Sequence, residues 1–318
     1  MKLSNEVVEM RINNNLSTSP GLQMLFLLLL VFGSPTSTFT APSGYEAEKP
    51  VYSFEFLTFR GENNAQTSLE VFCQIPTNEF QFVKFKDKFC CSYDLSIALY
   101  DSYGNQLAKE SLIDSVKIET FKDIDRPKPA RLCRFAFLVK PGEYTARVRL
   151  KDLETFNNAG FDKKIQVPDY HNPELQLSDL QVAASITATN EKNMLTKNNW
   201  KVVPNVPRIV SDTLYAYAEI YNLHYSSFEP NKEFSVTYII KNSDARRIAF
   251  IKRKYEKPGD TCVLSIGIPV KELEEGFYQL NLTVADPDNG QTVRKATHFN
   301  MAKPRSKFNT YSELLHDR

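Results

Sequence analysis

Cysteine is the residue type in this sequence with the widest range of chemistry, and there are five of them. Cys73, Cys91 and Cys133 each occupy an apolar position in a stretch that alternates apolar and polar residues, whereas Cys90 falls on the opposite face from Cys91. This placement favours a role for Cys73, Cys91 and Cys133 as small buried hydrophobic residues. A disulfide among Cys73, Cys91 and Cys133 stays open, because an oxidising compartment would permit it. No two cysteines have the spacing of a chelating pair, so no metal site is predicted.

The four histidines form no catalytic pattern in the sequence. None lies three or four residues from another or close to a cysteine, and the sequence has neither a G-x-S-x-G elbow nor an H-E-x-x-H helix signature. We therefore expect no enzyme active site and no cofactor. A catalytic group assembled from distant residues stays open, because such groups need not be neighbours in sequence.

Two charged stretches are predicted to have structural roles. Residues 285–290 (ADPDNG) bring two aspartates close together, but they lack the later glutamate of a calcium-binding loop, and Asn-Gly is a strong hairpin signal. Residues 246–257 (RRIAFIKRKYEK) contain six basic side chains, while the whole chain carries a net charge of only +1. We therefore predict a turn and a solvated edge strand, with no nucleic-acid partner.

Strands must position these residues, because a period of two dominates the sequence beyond residue 50. In residues 67–75 (TSLEVFCQI) the odd positions from Leu69 to Ile75 are apolar, with Glu70 and Gln74 between them. Residues 89–99 and 133–139 alternate in the same way. Such alternation predicts strands with one face on a core and the other in water. Turn signals separate the strands, so the predicted fold class is all-β.

One pattern occurs twice along the chain. Residues 142–152 (GEYTARVRLKD) and 276–286 (GFYQLNLTVAD) share a glycine, a tyrosine, alternating apolar residues and a final aspartate. The correspondence extends towards the N-terminus, and the second copy is shorter by eleven residues. We assign the surplus to an added strand and loop between Tyr100 and Arg131. The repeat predicts two tandem immunoglobulin/fibronectin-III-like β-sandwich domains, at 50–168 and 176–303.

The repeated residues have predicted structural roles. The glycine begins a late strand after a turn, the tyrosine anchors a loop through its hydroxyl, and the aspartate caps the following turn. These residues are Gly142 and Gly276, Tyr144 and Tyr278, and Asp152 and Asp286. The same alignment places Cys73 over Ala218 and Cys91 over Val236, which supports a core role for the cysteines. Cys133 is matched with Cys262, because alternating apolar residues follow both.

The two ends of the chain differ from the rest. Leu22 to Phe32 is an almost uninterrupted apolar run, too short for a membrane-spanning helix and followed by small and hydroxylated residues. We predict that residues 1–41 are a signal peptide or hydrophobic leader, with an uncleaved anchor as the alternative. Export to the periplasm or the extracellular space follows, with no membrane contact beyond the leader. Residues 304–318 are predicted to be a polar tail.

Several segments resemble the N-terminal region of the bacterial proteins named for a GWxTD motif. They are SLEVFCQIPTNEFQFVKFKDKFCCSYDLSIALYDSYGNQL, KPGEYTARVRLKDLET, DLQVAASI and DTLYAYAEIYNL, and the resemblance covers roughly residues 50–303. It implies an exported protein in which paired β-sandwiches precede the namesake domain. This sequence contains no Gly-Trp-x-Thr-Asp, and its single tryptophan, Trp200, lies in NNWKVV. No activity of the namesake domain is therefore carried over.

These observations predict an exported, non-catalytic β-sandwich protein that acts as a binding or spacer module in the cell envelope. Its partner would be a protein or a glycan of the envelope. Two alternatives remain: an accessory region of an enzyme whose catalytic part lies in another domain or gene product, and a carbohydrate-binding sandwich.

Overall fold

The computed structural model describes residues 52–303 except 63–64, 77–79, 121–122, 124–129 and 229–231. The predicted leader and tail lie outside the described residues. Within these ranges the regular secondary structure consists of strands and no α-helix, which confirms the all-β prediction.

The first half of the described chain forms two antiparallel sheets. One has the order β1-β2-β6; in the other β3, β4, β7 and β8 follow one another and β5 pairs with β4. The strands are β1 (Ser53–Arg60), β2 (Thr67–Ile75), β3 (Val83–Phe85), β4 (Lys88–Tyr100), β5 (Gln106–Ile118), β6 (Arg131–Val139), β7 (Gly142–Asp152) and β8 (Asn158–Val167).

The second half also forms two sheets. One has the order β11-β12-β10-β14-β17, with β9 paired to β14, and the other has the order β13-β19-β18-β15-β16. The strands are β9 (Gln176–Leu177), β10 (Gln181–Ala188), β11 (Thr196–Lys197), β12 (Trp200–Pro204), β13 (Ile209–Val210), β14 (Thr213–Tyr221), β15 (Glu233–Asn242), β16 (Arg247–Glu256), β17 (Thr261–Pro269), β18 (Gly276–Asp286) and β19 (Gln291–Met301).

Each pair of sheets encloses its own hydrophobic cluster. Leu69 and Val71 on β2 meet Leu95, Ile97 and other side chains from the facing sheet in the first cluster. The second cluster uses only residues between 175 and 301. We call these sheet pairs the first and the second sandwich. The alternation of apolar and polar residues along each strand produces these two clusters, because successive side chains point to opposite faces of a sheet and only the apolar set faces inward.

The two sandwiches share a strand order. Each sandwich has seven strands of at least eight residues. Three of them, the first, second and fifth in sequence, form one sheet: β1-β2-β6 in the first sandwich and β10-β14-β17 in the second. The other four form the facing sheet, in the order β5-β4-β7-β8 in the first sandwich and β16-β15-β18-β19 in the second. The prediction of an added strand in the first copy is therefore wrong. Strand β5 has a counterpart in β16, and both are edge strands.

The predicted match of Cys133 with Cys262 is also wrong. In the ladders Cys73 lies opposite Cys133, whereas Ala218 lies opposite Leu264. Cys133 therefore corresponds to Leu264. The alternation hid this error, because positions 262 and 264 lie on the same face of β17 and both are buried.

Strand β2 is buried on both faces, which corrects the expectation that its polar face is solvated. Glu70 and Phe72 have relative exposures of 4% and 1%. They pack against the second sandwich in a third cluster, which combines Leu57, Phe59 and Phe72 with Ala183, Ile186, Val202, Val206 and Tyr217. We call this contact between the sandwiches the joint.

Candidate functional site

The repeated tyrosines have matching hydrogen bonds. The Tyr144 hydroxyl donates to the carbonyl oxygen of Lys140 at 2.7 Å, and the Tyr278 hydroxyl donates to that of Glu274 at 3.0 Å. Each bond ties the start of a late strand to the residue four positions earlier, while the ring is buried. The preceding glycines, Gly142 and Gly276, have φ angles of 152° and 150°, a region that favours glycine.

The repeated aspartates lie at the turns that follow these strands. Asp152 Oδ1 accepts hydrogen bonds from the backbone amides of Glu154 at 2.8 Å and Thr155 at 3.1 Å. Asp286 Oδ1 accepts one from the amide of Asp288 at 3.1 Å. These contacts belong to the architecture of the sandwiches and supply no reactive group.

A lysine occupies the acidic pair of the 285–290 turn. The Nζ of Lys257 lies 2.6 Å from Asp286 Oδ1 and 2.5 Å from Asp288 Oδ2, and it donates to the carbonyl oxygen of His224 at 2.9 Å. The Lys257 and Asp286 side chains are 1% and 0% exposed. An ammonium group thus stands where the acidic spacing alone could suggest a calcium ion. Because Lys257 is buried, it departs from the solvated basic face predicted for 246–257.

All five cysteines are free thiols, and four of them are buried. Cys73 and Cys133 lie directly opposite each other on β2 and β6, on the core side of the first sandwich. Burial raises the pKa of both thiols, most strongly that of Cys73. Cys91 belongs to the same core. Nucleophilic chemistry requires an accessible thiolate of low pKa, whereas the Cys73 and Cys133 thiols have raised pKa values and all three side chains are buried.

The joint contains a buried lysine between the sandwiches. The Nζ of Lys197 lies 2.6 Å from Glu70 Oε2 and 3.4 Å from the centre of the Phe59 ring. Arg134 Nη2 donates to Glu70 Oε1 at 3.0 Å. Burial lowers the pKa of the Lys197 amine despite its carboxylate partner. Burial also opposes ionisation of Glu70, but Lys197 and Arg134 together hold its pKa below the ordinary value.

A second ion pair crosses the joint at its other side. Arg208 Nη2 and Nε lie 2.8 and 3.0 Å from Glu55 Oε1. Glu55 is 2% exposed, and its Oε2 has no hydrogen-bond partner within the described part of the chain. Burial outweighs the arginine and raises the pKa of Glu55 to about 7.

The segment between the two sandwiches, residues 167–179, is packed into the joint. Asp179 Oδ2 accepts hydrogen bonds from Thr58 N at 2.8 Å and Thr58 Oγ1 at 2.6 Å, and the Asp179 amide returns one to the Thr58 carbonyl at 3.1 Å. The hydroxyl of Tyr170, itself 1% exposed, is 2.8 Å from Thr58 Oγ1. The segment therefore fixes the two sandwiches to each other instead of acting as a flexible linker.

An open groove of about 740 Å³ lies on the outer face of the first sandwich. Its lining combines an aromatic ring with polar and charged groups from β4, the turn that follows β4, β7 and β8. These include Tyr100, Ser102, Glu143, Thr145, Lys164 and Gln166. The sequence did not single out the groove, because its residues occupy the polar positions of three separate strands.

The described residues include no metal-binding cluster and no membrane-spanning helix. Among the residues that the structure describes, no three histidine, cysteine or acidic side chains are grouped so as to hold a metal ion. His171 and His224 lie in loops, and His298 lies on β19. Nor does the described chain contain a helix with the length and apolarity needed to cross a membrane.

Comparisons with known proteins leave the family open. No family model matches the chain, and no curated protein matches it. Two solved structures of the β-glucuronidase of Parabacteroides merdae, one with glycerol in its active site, are similar over 74% of this chain and 28% of theirs. The identities are 12% and 13%, with TM-scores of 0.25 and 0.26. The chain thus spans just over a quarter of those enzymes, and scores this low give no basis for assigning an activity.

Proposed function

We propose that this chain is an exported, non-catalytic β-sandwich protein of the cell envelope that holds a binding surface in a fixed orientation. The joint is the observation that carries this proposal. Two sandwiches on a flexible linker would need no ionic contact with each other, whereas here Glu70 and Glu55 on one sandwich meet Lys197 and Arg208 on the other.

Buried ion pairs specify geometry more than they add stability. Removing a charged group from water costs several kcal/mol, which its partner offsets only when the two are well placed. A small rotation of one sandwich would separate Lys197 from Glu70 and leave the ammonium group of Lys197 buried without its partner. A single relative orientation is therefore the arrangement with the lowest free energy, as a spacer or a binding platform requires.

The relationship to GWxTD-domain proteins belongs to the same proposal. If it holds, the two sandwiches are the exported platform that precedes a namesake domain in those proteins, and the chain is an accessory region of a larger system. A glycan-binding sandwich is the second candidate. The groove on the first sandwich favours it.

Spin-label distance measurements test the fixed orientation. Labels would be placed on the full chain at Lys109→Cys in β5 and Lys254→Cys in β16, both exposed, in a Cys90→Ser background that removes the one thiol that is not buried. We expect one narrow distance distribution, which broadens when Glu70→Gln is added. A broad distribution in the parent protein would show that the sandwiches move independently, and the proposal would then be wrong. Fractionation of the native host tests export separately.

A further inference from the structure

We propose that the groove on the first sandwich binds an oligosaccharide through the ring of Tyr103 and the polar side chains of β7 and β8. This inference rests on the proposed binding function and names its ligand class. It is argued from the arrangement of the lining residues, their hydrogen-bonding capacity and the rigidity of the adjacent turn.

The floor of the groove is a small array of side chains on neighbouring strands. Tyr100 lies opposite Thr145, and Thr145 lies opposite Lys164, so the three cross the sheet in one row. Glu143 and Gln166 form the next row. Adjacent strands are about 4.8 Å apart, so the rows present polar groups at regular intervals over a nearly flat surface.

The turn beside this floor carries an exposed aromatic ring on a backbone that hydrogen bonds fix, and the residues on either side of the ring line the groove. Tyr103 is 90% exposed. Asp101 Oδ1 accepts hydrogen bonds from the amides of Tyr103 and Asn105, both at 2.9 Å, and Asp101 Oδ2 accepts one from the Asn105 side chain at 3.0 Å. Asp101 and Ser102 from the same turn line the groove. A ring presented on an ordered turn can stack on a ligand with little further loss of entropy.

The groups that remain for a ligand are mixed in charge and in hydrogen-bonding type. Glu143 accepts, Lys164 donates, and Thr145 and Gln166 do both. Arg147 also lines the groove, but its guanidinium is engaged by Asp162 at 3.1–3.3 Å and lies 4.6 Å from the Tyr100 ring centre. It is therefore not free to bind a phosphate.

This combination suits a sugar better than other ligand classes. A polyanion would meet Glu143 and Asp101, and an apolar ligand would leave the charged groups without partners. Sugar hydroxyls donate and accept, and the flat carbon face of a pyranose can pack on tyrosine. A volume of about 740 Å³ lies within the range of small-ligand sites, roughly 300–1,000 Å³.

A glycan array followed by calorimetry on the full chain tests the inference. The array would carry neutral and uronic-acid oligosaccharides. We expect binding to neutral oligosaccharides, since the carboxylates of the uronic acids would meet Glu143 and Asp101, and a loss of affinity of about tenfold or more in Tyr103→Ala and in Lys164→Met. Binding confined to the uronic-acid members would contradict this assignment. Phe85→Ala is the matched control, because Phe85 is a 63% exposed aromatic residue of the same sandwich that lies on β3, outside both the groove and the turn that carries Tyr103.

The outcomes separate this inference from the proposed function. Absence of binding to all glycans would overturn the oligosaccharide assignment. Binding that Tyr103→Ala and Lys164→Met leave unchanged would overturn the groove as the site. Neither result bears on the fixed orientation, which the spin-label distances test. Thermal unfolding of both groove variants should match the parent, since their side chains are exposed.

Discussion

Glu70→Gln removes the carboxylate that lies 2.6 Å from the buried amine of Lys197. The lysine side chain is 10% exposed and is surrounded by the rings of Phe59, Phe72 and Tyr217, within 3.4–5.8 Å of their centres. A charge left buried without its partner costs about 3–5 kcal/mol. We therefore expect the free energy of unfolding to fall by roughly that amount.

Lys197→Met should be far milder, although it breaks the same ion pair. Glu70 would keep Arg134, which donates through Nη2 at 3.0 Å and Nε at 3.3 Å. Methionine also keeps most of the packing against the three rings. We expect a loss of about 1–2 kcal/mol, since one charge-assisted contact is removed and no buried charge is stranded.

The double variant distinguishes this reasoning from a general loss of packing. Lys197→Met should rescue Glu70→Gln, because the stranded ammonium is then absent and Arg134, with its side chain 25% exposed, can reach water. We expect the double variant to be more stable than Glu70→Gln alone. Such non-additivity is the signature of residues that act as a pair.

Urea unfolding followed by tryptophan fluorescence, using Trp200 on β12, would measure these differences. Glu233→Gln is a suitable control: it breaks the exposed pair with Lys254 at 3.0 Å and should cost less than about 1 kcal/mol. Equal losses in Glu70→Gln and Lys197→Met, or strictly additive losses in the double variant, would refute the account of the joint.

Three further predictions follow from buried groups. Burial raises the pKa of Glu55 from 4.5 to about 7, so its contribution to stability is fully present below about pH 4.5 and is lost as the pH rises through 7. We expect the free energy of unfolding to fall by about 3 kcal/mol between pH 5 and pH 8 for this reason. In Glu55→Gln, urea unfolding at the two pH values should show a smaller difference. An unchanged difference in the variant would contradict this. Lys257→Met should lower the free energy of unfolding by about 3–5 kcal/mol, because Asp286, which is 1% exposed, loses its cationic partner. A change in melting temperature no larger than that of Lys254→Met would count against this prediction. Refolding in a glutathione redox buffer should join Cys73 to Cys133 by exchange with glutathione disulfide, which is reduced to two molecules of glutathione. The two cysteines are directly opposed, and the Cβ atoms of such residues can approach to about 4.5 Å, the upper end of the distance that a disulfide spans. Mapped peptides that link Cys91 instead would disprove it.

Much of the fold could be predicted from the sequence, because alternation reports on one strand at a time. The odd positions of 69–75 and 91–99 belong to the buried core of the first sandwich. The tyrosines of the repeat were also readable, since Gly-x-Tyr after a turn occurs in both copies. Local pattern and tertiary packing agree at these positions.

The joint was not predicted, because alternation cannot show that a polar face packs on another sheet. Phe72 was the available signal: a large aromatic residue lies between Glu70 and Gln74 on the face assigned to water. Lys197 carried no signal, since it lies in a polar stretch that resembles a surface loop. Its burial depends on residues more than 100 positions away in sequence, which no local pattern records.

Lysine acylation with mass spectrometry tests the closed joint most directly. The native full chain would be treated with a mild acylating ester, and the modification of Lys197 compared with that of the exposed Lys192 five residues earlier. The structure predicts that Lys197 stays unmodified while Lys192 reacts, and that both react after unfolding. Equal reaction of Lys197 and Lys192 in the native protein would show that the joint is open and that the sandwiches are not held together as described.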